Sequence, residues 1–408
     1  MRLVLAHRRV HRIPHPTSVT IAKRPSGGCG TAIPVLLFLP LREAKYFCRR
    51  DWTGGQITRD STSSWRKRRG QAFAENDNEQ LDRADHQGQC ISLNVVEQGQ
   101  GPLVLLCHGF PESWYSWRHQ IDTLAAAGFH AVAPDMRGYG KSDRPEAIDQ
   151  YTMLHFVGDL VGLLDGLEAP RAVVVGHDWG ASIAWQAARL RPDRFRAVIN
   201  LSVPYRPRGP AHPTSLMPQT ADAQFYQLYF QAPGVAEAEF EKDPRLTLRA
   251  ALFGQSGDGV IAIRAMSAAS GRTSGVGMVP RSGGILPSGV QLPLPSWLSE
   301  ADLDVYAEEF ARSGFRGPLN YYRNVDRNWE LLAAFDGVKV AVPALYIAGD
   351  HDLVVAFPGA AEHIANMKQH VPLLRDIQML PGCGHWTQQE RPAEVSKAIV
   401  DFLRGLPN

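Results

Sequence analysis

Apolar and polar positions divide the 408-residue chain into three regimes. Over residues 1–85 no apolar period of 2 or 3.6 is sustained, and Arg clusters alternate with Ser/Thr/Gly-rich and polar runs. The pattern changes near Cys90, where Ile91, Leu93 and Val95 alternate with Ser92 and Asn94 as in a half-buried strand. After a turn at Glu97–Gly101, Leu103–Cys107 is an unbroken apolar run, as a strand covered on both faces requires. Helix and strand signals then take turns. A helix over Trp117–Ala127, stopped by Gly128, leads to a strand at Phe129–Pro134. An amphipathic helix over Thr152–Leu167 puts Leu154, Val157, Leu160, Val161 and Leu164 on one face. A strand at Ala172–Val175, a helix over Trp179–Leu190 stopped by Pro192, and a strand at Ala197–Leu201 follow. Such alternation predicts an α/β architecture with a mostly parallel sheet flanked by helices.

Between residues 204 and 338 this rhythm lapses. Helical patterns occur at Ala221–Phe230, Pro244–Phe253 and Glu300–Ser313, a Gly/Ser/Pro-rich loop spans 269–296, and no strand is indicated. The sheet pattern resumes with Ala344–Ala348 and Ile377–Leu380 and ends in a helix at Ala393–Leu403. The expected organisation is a core of residues 86–203 and 339–408, interrupted by a helical lid over 204–338.

Charge sharpens the division. The net charge of +2 combines a first stretch, residues 1–70, holding fifteen Lys/Arg against three acids, with a remainder of 28 basic and 38 acidic residues. The basic stretch is expected to be a disordered extension without a function of its own. An organelle-targeting or nucleic-acid-binding role explains less, and Pro34 interrupts any secretory apolar core. A composition of 44% hydrophobic and 21% charged residues excludes a fibrous or wholly disordered chain. The longest apolar run, Ala32–Leu41, is too short to span a bilayer and carries two prolines. Five scattered cysteines form neither a disulfide framework nor a metal-binding spacing, which suits a reducing, cytoplasmic compartment.

Candidate chemistry lies in the loops that follow predicted strands. Val173–Ala181 reads strand, then Gly176-x-Asp178-x-Gly180, then helix. Small residues two before and two after a central side chain permit a sharp strand-to-helix turn, and Asp178 stands at its apex. A nucleophile there needs a base and a group to orient it. His385, in the Gly-flanked loop after Ile377–Leu380, is the expected base. Asp350 or Asp352, after Ala344–Ala348, is the orienting acid, with Asp352 preferred. The loop Cys107-His-Gly-Phe-Pro111 follows a buried strand, so the backbone N–H groups of Phe110 and Trp179 are the expected oxyanion donors. His108 is expected to hold that loop, and Pro111 is a candidate for a cis bond. A carboxylate nucleophile, unlike a serine, suits attack at an sp³ carbon. The product is an ester that water can cleave, whereas serine would leave a stable ether.

Four segments, His108–Arg118, Gly176–Gly180, Gly314–Arg323 and Gly384–Thr387, resemble the soluble epoxide hydrolases of the α/β-hydrolase superfamily. The likeness is to the hydrolase domain of the vertebrate enzymes and to their bacterial relatives, from about Leu93 to Leu403. It implies the α/β-hydrolase fold, with the lid inserted after the sixth strand, and conversion of an apolar epoxide to a vicinal diol without metal or cofactor. It also implies two lid tyrosines on the epoxide oxygen, which map onto Tyr226 and Tyr322, with Tyr229 and Tyr321 competing beside them. Phe110, Trp179 and Trp386 are the expected substrate-binding surface, epoxide and water are the expected partners, and a homodimer stays open. The family's first sheet strand has no clear apolar counterpart upstream of Cys90. A haloalkane dehalogenase would also use Asp178, but it would leave both tyrosines idle and find no halide donor in the Phe110 side chain. A non-catalytic receptor would be expected to lack a triad member. An esterase is disfavoured because Ser182 lies off the apex.

Overall fold

The computed structural model describes residues 86–88, 91–270, 276–286 and 292–407. They fall within the compact unit Phe73–Asn408. The basic extension expected over residues 1–85 lies outside the described residues.

Strands are numbered in chain order: β1 His86–Gly88, β2 Ile91–Leu93, β3 Val95–Gln98, β4 Leu103–Cys107, β5 His130–Pro134, β6 Ala172–His177, β7 Phe195–Leu201, β8 Ala223–Phe225, β9 Met278–Pro280, β10 Ala344–Gly349 and β11 Leu374–Leu380. Seven form one sheet in the order β11-β10-β7-β6-β4-β5-β3, parallel throughout except for the antiparallel pair β3–β5. β1 pairs antiparallel with β2. Upstream of Cys90, where no apolar run announces a strand, the short β1 forms by backbone pairing with β2, outside the seven-stranded sheet. With β2 and β3 taken as one strand interrupted at Asn94, the insertion after β7 follows the sixth strand.

Side chains on successive strand residues point to opposite faces, and this sorts the core into two clusters. Leu105, Cys107, Val174, Val198 and Tyr346 face Phe156, Leu160, Ile183 and Trp185 of the helices Met153–Gly166 and Trp179–Leu190. Val104, Leu106, Val173, Val175, Ile199 and Ile347 face Ile121, Leu124, Val395 and Ile399 of the helices Arg118–Ala126 and Pro392–Arg404. β4, β6 and β10 are buried along their whole length, and each large apolar side chain so buried contributes about 1.5–3 kcal/mol. The edge strand β11 instead exposes Arg375 and Asp376, charges that discourage pairing with another chain.

The segment 204–338 departs from its expected form. Ala221–Phe230 is not one helix: β8 pairs antiparallel with β9, and a single helical turn, Tyr226–Tyr229, follows. β9 lies inside the stretch expected to be loop, and three-residue strands are too short to register as a period. The helices Gly257–Ser270, Arg316–Arg323 and Val325–Leu331 were also unforeseen. Gly257-Asp-Gly and Gly317-Pro read locally as breaks, but here they sit in the first turns of helices. Pro244–Gly254 and Glu300–Ser313 form as expected, with Asp243 and Ser299 accepting at their N-termini.

Backbones approach closely at the end of β4. A Cβ at Gly180 would collide with the carbonyls of Cys107 and His108. Gly180→Ala should therefore cost about 3 kcal/mol or more, read as a lowered denaturant midpoint. Gly283→Ala, where an added Cβ meets nothing within 4 Å, should stay within about 0.5 kcal/mol of the parent.

Candidate active site

The turn between β6 and the helix Trp179–Leu190 puts Asp178 at φ 51° and ψ −117°. This is a left-handed conformation that costs a non-glycine residue about 1–3 kcal/mol and that surrounding packing must enforce. A Cβ at Gly176 would strike Gly180, so the chain can bend this sharply only with glycine at 176 and 180. The strained apex holds the carboxylate off the end of the sheet. Phe110 N–H, from the loop after β4, donates to Asp178 Oδ1 at 2.8 Å. Trp179 N–H stands in the first turn of the helix, where no intrahelical carbonyl can satisfy it. The Phe110–Pro111 bond is cis.

His385, from the loop after β11, puts Nε2 3.6 Å from Asp178 Oδ2. Its Nδ1 lies 3.0 Å from Asp352 Oδ1, which also accepts from Val354 N–H at 2.9 Å. The two candidate acids have separate tasks: Asp350 accepts from Gly382 N–H at 2.8 Å and shapes the turn. Burial pulls the His385 imidazole down, but the charges of Asp352 and Asp178 outweigh it and hold the ring well above the usual histidine range. Asp352 moves the other way. Burial raises it, and the His385 charge with its hydrogen bonds brings it below the usual carboxylate range.

Above the carboxylate stand two phenols. Tyr322 packs edge-on against Phe110 and Trp179 with ring centroids 5.5 and 5.1 Å away, and Tyr226 lies 6.0 Å from Tyr322. Burial raises both hydroxyls, and the Asp178 charge raises them further. Their neighbours are committed elsewhere. Tyr321 donates to the Arg137 carbonyl at 2.7 Å and stacks on Phe156, while Tyr229 donates to Glu239 at 2.7 Å.

Trp386, expected on the substrate-binding surface, packs edge-on against the His385 ring with centroids 4.7 Å apart. It is fully buried, and its indole N–H donates to the Leu252 carbonyl at 2.9 Å. His385 N–H likewise donates to the Gln255 carbonyl at 2.9 Å. Glu390 accepts from Gly257 and Gly384 N–H, both at 2.9 Å. The inserted segment thus grips the His385 loop from outside. His108 accepts from Met136 N–H at 3.0 Å and bonds the Gly109 carbonyl through Nδ1; burial lowers its pKa. It fixes the loop that carries Phe110.

A buried pair beneath these loops left no sequence signal beyond lying inside the motifs. Glu112 Oε2 accepts from His177 Nδ1 at 2.7 Å and from Gly109 N–H at 2.9 Å. His177 Nε2 donates to the His385 carbonyl at 2.7 Å. Burial raises the Glu112 carboxyl, and the His177 charge overrides this to hold it at about 2. One ion pair therefore ties together the loops of Phe110, Asp178 and His385. Among the described residues, no group of His, Cys, Asp and Glu is arranged to hold a metal ion, and no helix is long and apolar enough to cross a membrane.

Comparison with known proteins identifies the family. A family model described as the alpha/beta hydrolase fold matches residues 102–256. Epoxide hydrolase A of Mycobacterium tuberculosis is 47% identical over 324 residues, which cover 78% of this chain and 95% of that protein. The chain belongs to the epoxide hydrolase family. Epoxide hydrolase 3 of Siraitia grosvenorii is 44% identical over 316 residues, covering 77% of this chain and 95% of that one. The mouse bifunctional epoxide hydrolase 2 is 39% identical over 315 residues, 77% of this chain but only 54% of that protein. Among solved structures, an epoxide hydrolase from an endophytic Streptomyces superposes with a TM-score of 0.71 at 47% identity, covering 77% of this chain and 92% of that one.

The strained apex yields a test. Relative to Asp178→Ala, Asp178→Gly should be more stable by about 1 kcal/mol, because glycine takes the left-handed conformation freely. Equal unfolding midpoints would show that the turn stores no strain.

Proposed function

We propose that this epoxide hydrolase opens an apolar epoxide by attack of Asp178 and hydrolyses the resulting ester with water activated by His385. The observation that carries the reading is one carboxylate on a sharp turn, 3.6 Å from a buried imidazole and roofed by two phenols. A carboxylate oxygen attacks an epoxide carbon, the C–O bond breaks, and the ring oxygen takes hydrogen bonds or a proton from Tyr226 and Tyr322. Both phenols are pushed above their ordinary pKa, so both retain the proton they must donate. A hydroxyalkyl ester now stands on Asp178.

Forming that ester removes a charge. In the free enzyme two carboxylates hold His385 protonated. Once Asp178 is esterified, only the Asp352 charge remains at the triad, and the imidazole becomes more acidic. His385 gives up its proton, which replaces the one a phenol passed to the ring oxygen; the neutral ring, oriented by Asp352, then accepts a proton from water as the water oxygen adds to the ester carbonyl. Phe110 and Trp179 N–H groups would hold the oxyanion. Collapse returns that proton to the departing diol oxygen, and the new Asp178 carboxyl, which carries an oxygen from water, passes its own proton to His385 and restores the starting ion pair. The substrate itself makes the base available.

Residues 204–338 act as the lid in this reading, since they supply both phenols. Phe110, Trp179, Tyr226 and Tyr322 favour an apolar epoxide. The free, buried Cys107 and Cys383 fit a cytoplasmic enzyme.

Reaction in ¹⁸O-water should put label into the Asp178 carboxylate, read by mass spectrometry of its peptide. Asp178→Ala should form no adduct, His385→Gln should accumulate the ester, and Tyr226→Phe with Tyr322→Phe should stop ring opening while the fold is kept. Label appearing only in the diol after a single turnover would mean direct attack by water and would overturn the reading. Halide release from haloalkanes at rates matching diol formation would overturn the substrate class. The acid limb supplies a further check: in Asp178→Asn the His385 titration, followed by NMR, should move to lower pH than in the parent, because one raising charge is gone.

A further inference from the structure

Ser202 closes β7 where the chain leaves the sheet for the inserted segment. It is fully buried, and its φ of 72° is one of the few positive values outside glycine among the described residues. A strained residue beside reacting groups invites a functional explanation. Its backbone is fully engaged: Ser202 N–H donates to the Ile347 carbonyl at 2.8 Å, and its carbonyl accepts from the Tyr346 hydroxyl at 2.6 Å. This pins the side chain against the triad, with Oγ 3.0 Å from His385 Nδ1.

The His385 Nδ1 proton is committed to Asp352 Oδ1 at 3.0 Å. The Ser202 hydroxyl therefore has no lone pair to donate to on that nitrogen, and its own proton needs another acceptor. Asp352 Oδ2 is buried and has no hydrogen-bond partner among the described residues. The nearby Ser202 hydroxyl also helps to hold the Asp352 carboxyl below the usual carboxylate range. Burying a carboxylate oxygen without a donor is costly, so the two shortages resolve each other.

We propose that Ser202 is a positioning residue of this enzyme: its hydroxyl donates to Asp352 Oδ2, fixes the carboxylate against His385 and limits its basicity. The proposal rests on the assignment of His385 and Asp352 to ester hydrolysis. The groups facing the pair are few. Asp178 comes from the elbow, the His177 ring lies 4.7 Å from that of His385, Glu390 interacts with His385 from the following helix, and Tyr226, Tyr346 and Cys383 face Asp352.

Removing the hydroxyl makes Asp352 more basic, which strengthens its hold on the imidazolium. His385 then stays protonated to higher pH and serves less well as base. In Ser202→Ala, rapid-quench measurement should find ester formation unchanged and ester hydrolysis about tenfold slower at neutral pH, the size expected for a hydrogen bond to a charged group. The acid limb of the hydrolysis rate should move to higher pH. Ser202→Gly relieves the backbone strain but lacks the same hydroxyl, so it should be the more stable variant with the same displaced limb. A wild-type limb in both variants would overturn the proposal. His385→Gln and Asp352→Asn separate the two levels of inference. If they leave ester hydrolysis intact, the triad assignment itself falls. If they slow it while the Ser202 variants do not, only the role of Ser202 falls.

Discussion

One buried and one half-buried carboxylate meet a single buried imidazole, and most of the site follows from how their charges are kept in balance. Asp178 and Asp352 reach His385 from opposite sides. Placing two negative charges in such surroundings is expensive unless a positive charge lies between them. The imidazolium supplies it, and the Phe110 N–H bears part of the remainder. The balance is conditional, because it holds only while both carboxylates are ionised. Any reaction that converts one to an ester upsets it and changes the acid–base character of the ring.

The fold exists to hold that arrangement still. The groups arrive from the C-terminal ends of four strands, β4, β6, β10 and β11, which are parallel and neighbouring or nearly so. Parallel strands of this kind end on one side of the sheet, so loops distant in sequence meet there. The buried Glu112–His177 pair locks three of these loops together. The inserted segment adds a second hold, through the carbonyls of Leu252 and Gln255 on the His385 loop. The segment that carries Tyr226 and Tyr322 therefore also steadies the imidazole, which couples the roof of the site to its base.

The legible and illegible parts of the site differ in a physical way. Asp178 could be found because its turn demands glycine at two fixed positions, and that demand is written within five residues. His385 could be found because it sits in a Gly-flanked loop after a strand, in the right chain order. Asp352 and Asp350 could not be separated beyond a preference, since both follow the same strand. Only the hydrogen bonds to His385 and Gly382 distinguish them. The tyrosine pairs posed the same difficulty: adjacent phenols on one helix have the same local sequence, and only their partners across space differ. Trp386 meets the same limit, because nothing local says that the indole beside the base donates to the Leu252 carbonyl.

Alone, the chain determined the alternation of strands and helices, the place of the insertion and the sharp turn at Asp178. These depend on periodicity and steric demands that act over a few residues. Folding in three dimensions decided which acid meets the imidazole, which phenols overlook the carboxylate, how β8 finds β9 and why Ser202 is strained. Each of those depends on a contact between segments tens to hundreds of residues apart, and no local pattern can encode such a distance.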